Sequence, residues 1–454
     1  FESSIDEETG VHTMMSYGLF NCYNNQFEIG FDLKEFMEKL CNLAMRYGNI
    51  TVYFHNAMKY DANFIIRNVL SDPAKKKWGI SVLLKTSNSM QRLEFSFQAT
   101  NGPYKGKTVH INIGDTIFFL TMSLEAIVAS VKSREGNMAH DMETFPRFFD
   151  VFKRRYPGVS NEQIWKVLKK NIFPYRYFTS SDKLDTPIGN FREIFKPAEE
   201  NLKYFSESVG IEDLEATEAL TLEIFDTFKC ETARDYHNVY LMCDVLELAD
   251  VFTKSIDTLW DSHHVFLPNY IGMPAATWAA FLRHDPTLRI PLYTNSIFPE
   301  FFATMTRGGV TSAPLRYAKA DETHSILYFD YNGLYPFVMQ AYAYPSNAFD
   351  WYFPPREEEI IHGYGSFNDF LLKGLFKEME ECNSGCCLTV DLEYPADVAI
   401  ATNDYPFAPE HRMIREEYYK SDGELTDFLK DWSIANENAK MAVFEGLVAT
   451  VYNK

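Results

Sequence analysis

The sequence predicts an α/β domain over about residues 1–260 and an α+β region after it. Three features carry this reading. The β-rich run Ile50-Thr51-Val52-Tyr53-Phe54 is followed, across a polar turn, by helical spacing at Phe64, Ile65, Asn68 and Val69 within 61–70, a strand–loop–helix unit. Arg92 to Phe97 and Val109 to Ile113 both alternate, and the turn-rich Asn101-Gly102-Pro103 separates them, so a pair of half-solvated strands is expected. From Tyr236 to Trp260, apolar residues recur every three or four positions, at Met242, Val245, Leu246, Ala249, Phe252, Ile256, Leu259 and Trp260, which predicts a long amphipathic helix. Strands and helices arranged in this way form layered α/β domains.

Further along, residues 261–320 read as a linker with two aromatic stretches and Arg307-Gly308-Gly309. Ser325 to Phe329 has the composition of a buried strand, so a second domain is expected over 321–454. Pro354-Pro355 and Arg356-Glu357-Glu358-Glu359 mark a break, after which Cys387 to Glu393 alternates as a strand; 350–440 is therefore read as an insertion in that domain. The first residue is Phe rather than Met, and the strand-like 447–452 is followed only by Asn453-Lys454, so the sequence is expected to be a piece of a longer protein.

A chain of 454 residues has length for roughly three domains. With 46% hydrophobic and 16% aromatic residues, disorder is excluded. A net charge of −20 excludes bulk attraction to nucleic acid, so any such site must be a local basic groove. Seven Cys argue against a disulfide framework and for a reducing compartment. No apolar run has the ~18 residues that span a bilayer, and the reading is a soluble, intracellular protein without membrane partners.

Three clusters can carry chemistry. His55-Asn56-Ala57-Met58-Lys59-Tyr60-Asp61 lies where a strand gives way to a helix; Asp61 is either the N-cap of that helix or a carboxylate ligand for a hard cation. Tyr240 and Asp244 stand four apart in the long helix, so phenol and carboxylate share one face, opposite the apolar stripe, where a solvated pair would also fall. Asp330, directly after four apolar residues in Ile326-Leu327-Tyr328-Phe329-Asp330-Tyr331, would sit at the carboxyl end of a buried strand, where open sheets place ligands. Arg307-Gly308-Gly309 offers a guanidinium for phosphate beside backbone bare enough for close approach. Cys382, Cys386 and Cys387 lack a second Cys or His doublet for zinc and read as strand-core residues.

Taken in order, these segments resemble the protein-primed branch of family-B DNA polymerases, as found in linear plasmids, Polinton-type elements, adenoviruses and some tailed phages. Glu2 resembles the second acid of the first exonuclease motif, whose Asp would precede Phe1. Asn56 and Asp61 fit the second motif, with Tyr60 and Phe64 at its aromatic positions, and Tyr240 and Asp244 fit the third, Tyr-x-x-x-Asp. Thr116-Ile117 resembles the single-strand motif, Thr306-Arg307-Gly308-Gly309 the linker motif with Thr in place of Tyr, and Asp330 to Pro336 polymerase motif A with Gly333 for Ser. The stretches from Phe173-Pro174-Tyr175 to Leu184, Tyr236 to Phe252 and Asn403 to Glu410 also look like plasmid and Polinton-type members. Polymerase motifs B and C are absent.

The resemblance implies a ribonuclease-H-like 3′–5′ exonuclease domain, then an incomplete family-B palm with an insertion. It implies that Glu2, Asp61 and Asp244 hold two Mg2+ or Mn2+ ions for hydrolysis, and that Tyr240 orients the water. His55, Asn56, Tyr60, Phe64, Thr116 and Ile117 would meet the strand. Asp330 would hold one side of a second two-ion site, with Leu334 and Tyr335 near the incoming dNTP and Arg307, Gly308 and Gly309 on template phosphates. The partners implied are template and primer DNA, dNTPs and a terminal protein gripped by 350–440, for a monomeric polymerase. An exonuclease fragment alone and a catalytically silent module binding DNA or terminal protein stand as alternatives.

Overall fold

The structure, a computed structural model, describes all residues except 6–11, 87–88, 169–171, 291, 293–296, 306–316, 343, 345–350, 352, 383, 389–394, 402–408, 414–447 and 453–454. The described chain is a mixed α/β protein that divides into two units, Phe1–Leu288 and Arg289–Lys454.

The first unit opens with strands β1 (Glu2–Ile5), β2 (His12–Asn21) and β3 (Gln26–Gly30), an antiparallel sheet in that order. Helix α1 (Leu33–Tyr47) begins where the Asp32 side chain accepts the Lys34 N–H at 2.7 Å. It ends at Gly48, whose φ of 87° lies in the region that favours glycine. Its buried residues Phe36, Met37, Leu40 and Ala44 form one stripe.

Strand β4 (Asn49–Phe54) follows at once and leads through a short turn into α2 (Asp61–Ser71). Then come β5 (Gly79–Thr86), β6 (Ser89–Gln98) and β7 (Thr108–Asp115). The sheet order is β4-β7-β6-β5: β4 runs parallel to β7, with Tyr53 opposite Gly114 and Phe54 opposite Asp115. Strands β6 and β7 are the expected alternating pair, antiparallel with Leu93 opposite Ile113 and Phe95 opposite Ile111. Val109, Ile111 and Ile113 are all fully buried, in one cluster with Phe36, Leu40 and Ile65 of the helices. The parallel pairing brings the carboxyl ends of β4 and β7 together, and the loops leaving them carry His55-Asn56 and Thr116-Ile117.

A helical layer completes the unit: α3 (Leu124–Val131), α4 (Met138–Thr144), α5 (Pro146–Arg155), α6 (Asn161–Val167), α7 (Ile188–Arg192), α8 (Ile211–Thr227) and α9 (Ala233–His263), then α10 (Met273–His284). An aromatic core including Phe148, Phe152, Phe191, Phe195, Phe225 and Tyr236 packs along α9. Asp250 of α9, 1% exposed, accepts the N–H groups of Arg147 and Phe148 at the start of α5, and so ties the two helices. The expected long helix is present and extends beyond 236–260 at both ends. It differs in its environment. Tyr240 is 6% exposed and so buried like Met242 and Leu246, because helices and rings cover α9 on more than one side.

Within the second unit, α11 (Ile297–Met305), α12 (Leu334–Ala341) and α13 (Glu357–Tyr364) are followed by a helical run from Phe367 to Glu381 and a helix Ala396–Ala401. Strands β8 (Pro409–Met413) and β9 (Val448–Tyr452) pair antiparallel. A small cluster of Ile360, Phe370 and Leu375 is buried. The expected strand Ser325 to Phe329 is not formed: Tyr328 is 94% and Phe329 84% exposed. A β-rich run becomes a buried strand only when neighbouring strands take its N–H and C=O groups, and among the described residues none pairs with it. The cysteines also differ from the strand-core reading, since Cys382 and Cys387 are exposed and Cys386 is half-buried. Most of the expected strand after Cys387 lies outside the described residues.

Candidate active site

Three chain segments meet within the first unit. Strand β1 brings Glu2 and Ser3, the start of α2 brings Tyr60 and Asp61, and the middle of α9 brings Tyr240 and Asp244. Tyr60, not Asp61, stands at the N-cap position of α2, so the capping reading of Asp61 is corrected: the carboxylate lies in the first turn. It is 3.5 Å from the amino group of Phe1. Tyr60 is fixed by hydrogen bonds between its hydroxyl and both Ser3 Oγ and His12 Nδ1, and its ring meets Phe64 edge-on at 5.2 Å.

Electrostatics tie the acids together. The Glu2 carboxyl is held well above the usual carboxylate range, first by burial and then by the negative charges of Asp244 and Asp61, opposed by the amino terminus. Burial also raises Asp61. Tyr240 is raised as well, by burial and then by the charges of Asp244 and Glu2, so its hydroxyl keeps its proton at neutral pH.

The hydroxyl of Tyr175 lies 2.7 Å from that of Tyr240. Tyr175 stands in the short helical turn Tyr175–Tyr177 and is 44% exposed, and burial with the nearby charges of Glu2 and Asp244 raises it too. Phe173 stacks on the Tyr240 ring at 4.3 Å. Glu2, Asp61, Tyr240 and Asp244 are thus brought into one charged neighbourhood, with Tyr175 as a fifth member.

The loop ends beside it are built on Asp115, 2% exposed at the end of β7. Its carboxylate accepts the N–H groups of Asn56 at 2.7 Å, Met58 at 2.9 Å and Ile117 at 3.1 Å. This holds Asn56 at a φ of 67°, with its residue exposed. His55 bridges the Thr116 hydroxyl and the Met122 carbonyl, each at 2.9 Å, through its two ring nitrogens. Both nitrogens therefore act within the protein. Phe64 is 8% exposed and packed beside Phe1 and Tyr60, which leaves Tyr60 as the more accessible ring. Thr116 is buried and donates to the Phe54 carbonyl at 2.9 Å.

Of the other expected site residues, Asp330, Leu334 and Tyr335 lie in the second unit, where Leu334 is 47% and Tyr335 82% exposed and Asp330 is likewise exposed. Arg307, Gly308 and Gly309 lie outside the described residues.

Among the described residues no group of three or more His, Cys, Asp and Glu side chains forms a metal cage. Glu2, Asp61 and Asp244 are all carboxylates, the donor type that suits a hard divalent cation, and the burial and then the repulsion that raise Glu2 are what bound positive charge would offset. Two residues that sequence reasoning passed over as site members are Tyr175 and Asp115. For Asp115 a signal existed, a carboxylate closing an alternating strand just before Thr116.

Residues 160–377 match the family model described as DNA polymerase type B, organellar and viral. The match includes Tyr175, Tyr240, Asp244 and Asp330, and the resemblance read from the motifs agrees with it. No curated protein matches the sequence. Among solved structures, the chain is similar to Phi29 DNA polymerase complexed with primer-template DNA and incoming nucleotides, at 14% identity and a TM-score of 0.34, covering 69% of this chain and 38% of that one. It is also similar to Phi29 DNA polymerase with single-stranded DNA, at 17% identity and a TM-score of 0.26, covering 52% of this chain and 33% of that one. The chain thus spans well under half the length of these polymerases.

Proposed function

We propose that this chain, which over residues 160–377 carries the pattern of the organellar and viral type B DNA polymerases, is part of a protein-primed DNA polymerase whose first unit is a 3′–5′ exonuclease. The observation that carries the exonuclease reading is the convergence of Glu2, Asp61 and Asp244, 59 to 242 positions apart in sequence, beside the neutral Tyr240 hydroxyl. Acids drawn together at a cost to folding are a signature of chemistry rather than of packing.

In this reading the acids of the first unit hold Mg2+ or Mn2+, and bound ions would supply the positive charge that lets a phosphodiester approach and lowers the pKa of the attacking water. The chain's own groups do the rest. Tyr240 keeps its proton and donates a hydrogen bond that orients the water, while Tyr175 holds Tyr240 in place. Asn56, presented on the loop that Asp115 fixes, contacts the strand, and the Tyr60 ring offers a stacking face for a terminal base. In the second unit, Asp330 and Tyr335 belong to the nucleotide-addition site, Leu334 lies beside the incoming nucleotide, and 350–440 grips the terminal protein that provides the priming hydroxyl.

One observation favours trimming without addition by this chain alone: the residues from Ile326 to Tyr335 are exposed. The deciding experiment incubates the chain with a 5′-labelled single strand and Mg2+ or Mn2+. Stepwise shortening from the 3′ end supports the exonuclease, and an intact strand rejects it.

A further inference from the structure

Tyr60 is held from outside its own helix. Its hydroxyl sits between Ser3 Oγ of β1 and His12 Nδ1 of β2, within hydrogen-bond reach of both, although these partners lie 57 and 48 positions away in sequence. A phenol has one proton, so it donates to one partner and accepts from the other. The chain Ser3–Tyr60–His12 is therefore complete only when all three groups are present.

The ring is braced as well. Phe64, four residues on, meets it at 5.2 Å and 86°, and the His12 imidazole meets it at 5.1 Å and 83°. A tyrosine side chain turns about two bonds. Here its near end is fixed at the start of α2 and its far end by the two hydrogen bonds.

His12 stands at the start of β2, opposite Ile5 of β1, and is half-buried. Among the described residues its imidazole has no hydrogen-bond partner besides Tyr60. The place of the clamp matters: Ser3 directly follows Glu2, and Tyr60 directly precedes Asp61, so the ring is registered against two of the clustered acids. A ring already immobilised is a preorganised stacking platform, because a base that stacks on it need not first arrest its motion.

We propose that His12 is a positioning residue for the substrate strand: together with Ser3 it fixes the Tyr60 hydroxyl and so presents the ring as a ready stacking face for the base of the 3′-terminal nucleotide. That the strand so held is then cut rests on the exonuclease reading; the stacking contact rests on the clamp itself.

The test measures equilibrium binding, to the full chain in chelator, of 5′-fluorescent dT12 and of the same strand ending in an abasic nucleotide. The variants are His12→Ala, His12→Asn, whose amide falls near the place of Nδ1, and Tyr60→Phe, with thermal melting to confirm folding. His12→Ala is expected to bind dT12 about five-fold more weakly, the scale of one side chain that must be immobilised on binding, and the abasic strand as the parent does. His12→Asn should recover most of the loss, and adding His12→Ala to Tyr60→Phe should weaken binding no further, because the hydroxyl that His12 holds is already gone. Equal weakening on both strands overturns the proposal, since a tether that only shapes the fold does not distinguish a terminal base from none. Unchanged dT12 affinity in His12→Ala overturns it too, as does a parent chain that binds dT12 no better than the abasic strand. Strand shortening by the unsubstituted chain in Mg2+ is scored in parallel: its absence would reject the exonuclease while leaving the binding result to stand for or against the clamp.

Discussion

The hydroxyls of Tyr175 and Tyr240 lie 2.7 Å apart, joining a partly exposed turn to the buried centre of α9. Removing one oxygen tests whether that bond positions Tyr240. Tyr175→Phe should lower kcat for strand shortening by about five-fold, the worth of one hydrogen bond of ~1 kcal/mol, with KM little changed. Tyr240→Phe should cost more. Steady-state kinetics on a labelled single strand would show it, and equal activity of Tyr175→Phe and the unsubstituted protein would remove Tyr175 from the mechanism.

Asp115 accepts three backbone N–H groups and is 2% exposed. Asp115→Ala leaves those donors without their acceptor, so it should destabilise the protein by about 2–4 kcal/mol. Hydrogen exchange should quicken first at the amides of Asn56 and Met58. Denaturant unfolding that is unaltered would mean that the loop is held by other contacts.

His237 is fully buried, 3.0 Å from Ser16 Oγ, and burial pushes its pKa down to about 4. Its folded value lies below its unfolded value near 6.5, so the unfolded chain takes up the proton first. The stability tied to the neutral ring is therefore complete above about pH 6.5 and is lost as pH falls toward 4, by about 2 kcal/mol between pH 7.5 and 5. His237→Gln should flatten that acid limb in urea unfolding at the two pH values. An equal loss in both proteins would assign the pH dependence elsewhere.

These expectations separate what periodicity reveals from what it conceals. The β6–β7 pair was legible because Val109, Ile111 and Ile113 alternate with polar residues, and α9 because its apolar residues keep a helical spacing. Strand β2 was not, since His-Thr-Met-Met-Ser-Tyr-Gly mixes both periods. The spacing of Tyr240 and Asp244 placed them on one face, but a helix packed on several sides has no single solvent face, so the burial of Tyr240 could not be read. Tyr175 escaped notice as a site residue because its partner is 65 positions away and only the fold joins them. Ser325 to Phe329 shows the converse: residue preference marks a strand, while pairing decides whether one forms.

The proposal of one site in each unit makes a further expectation. In the full-length enzyme, Asp330→Asn should abolish nucleotide addition to a primer while strand shortening stays within about two-fold of the parent, because the residue lies in the second unit. Primer extension and shortening assays on the same preparation would check it. Loss of shortening with intact extension would reverse the assignment.

The central claim is that acids from β1, α2 and α9 act as one hydrolytic centre. Its most direct measurement is the rate at which the full-length enzyme with Asp61→Ala and Asp244→Ala shortens a 5′-labelled single strand in Mg2+. The account predicts a fall of at least about a thousand-fold with primer extension retained; shortening at the parent rate would contradict it.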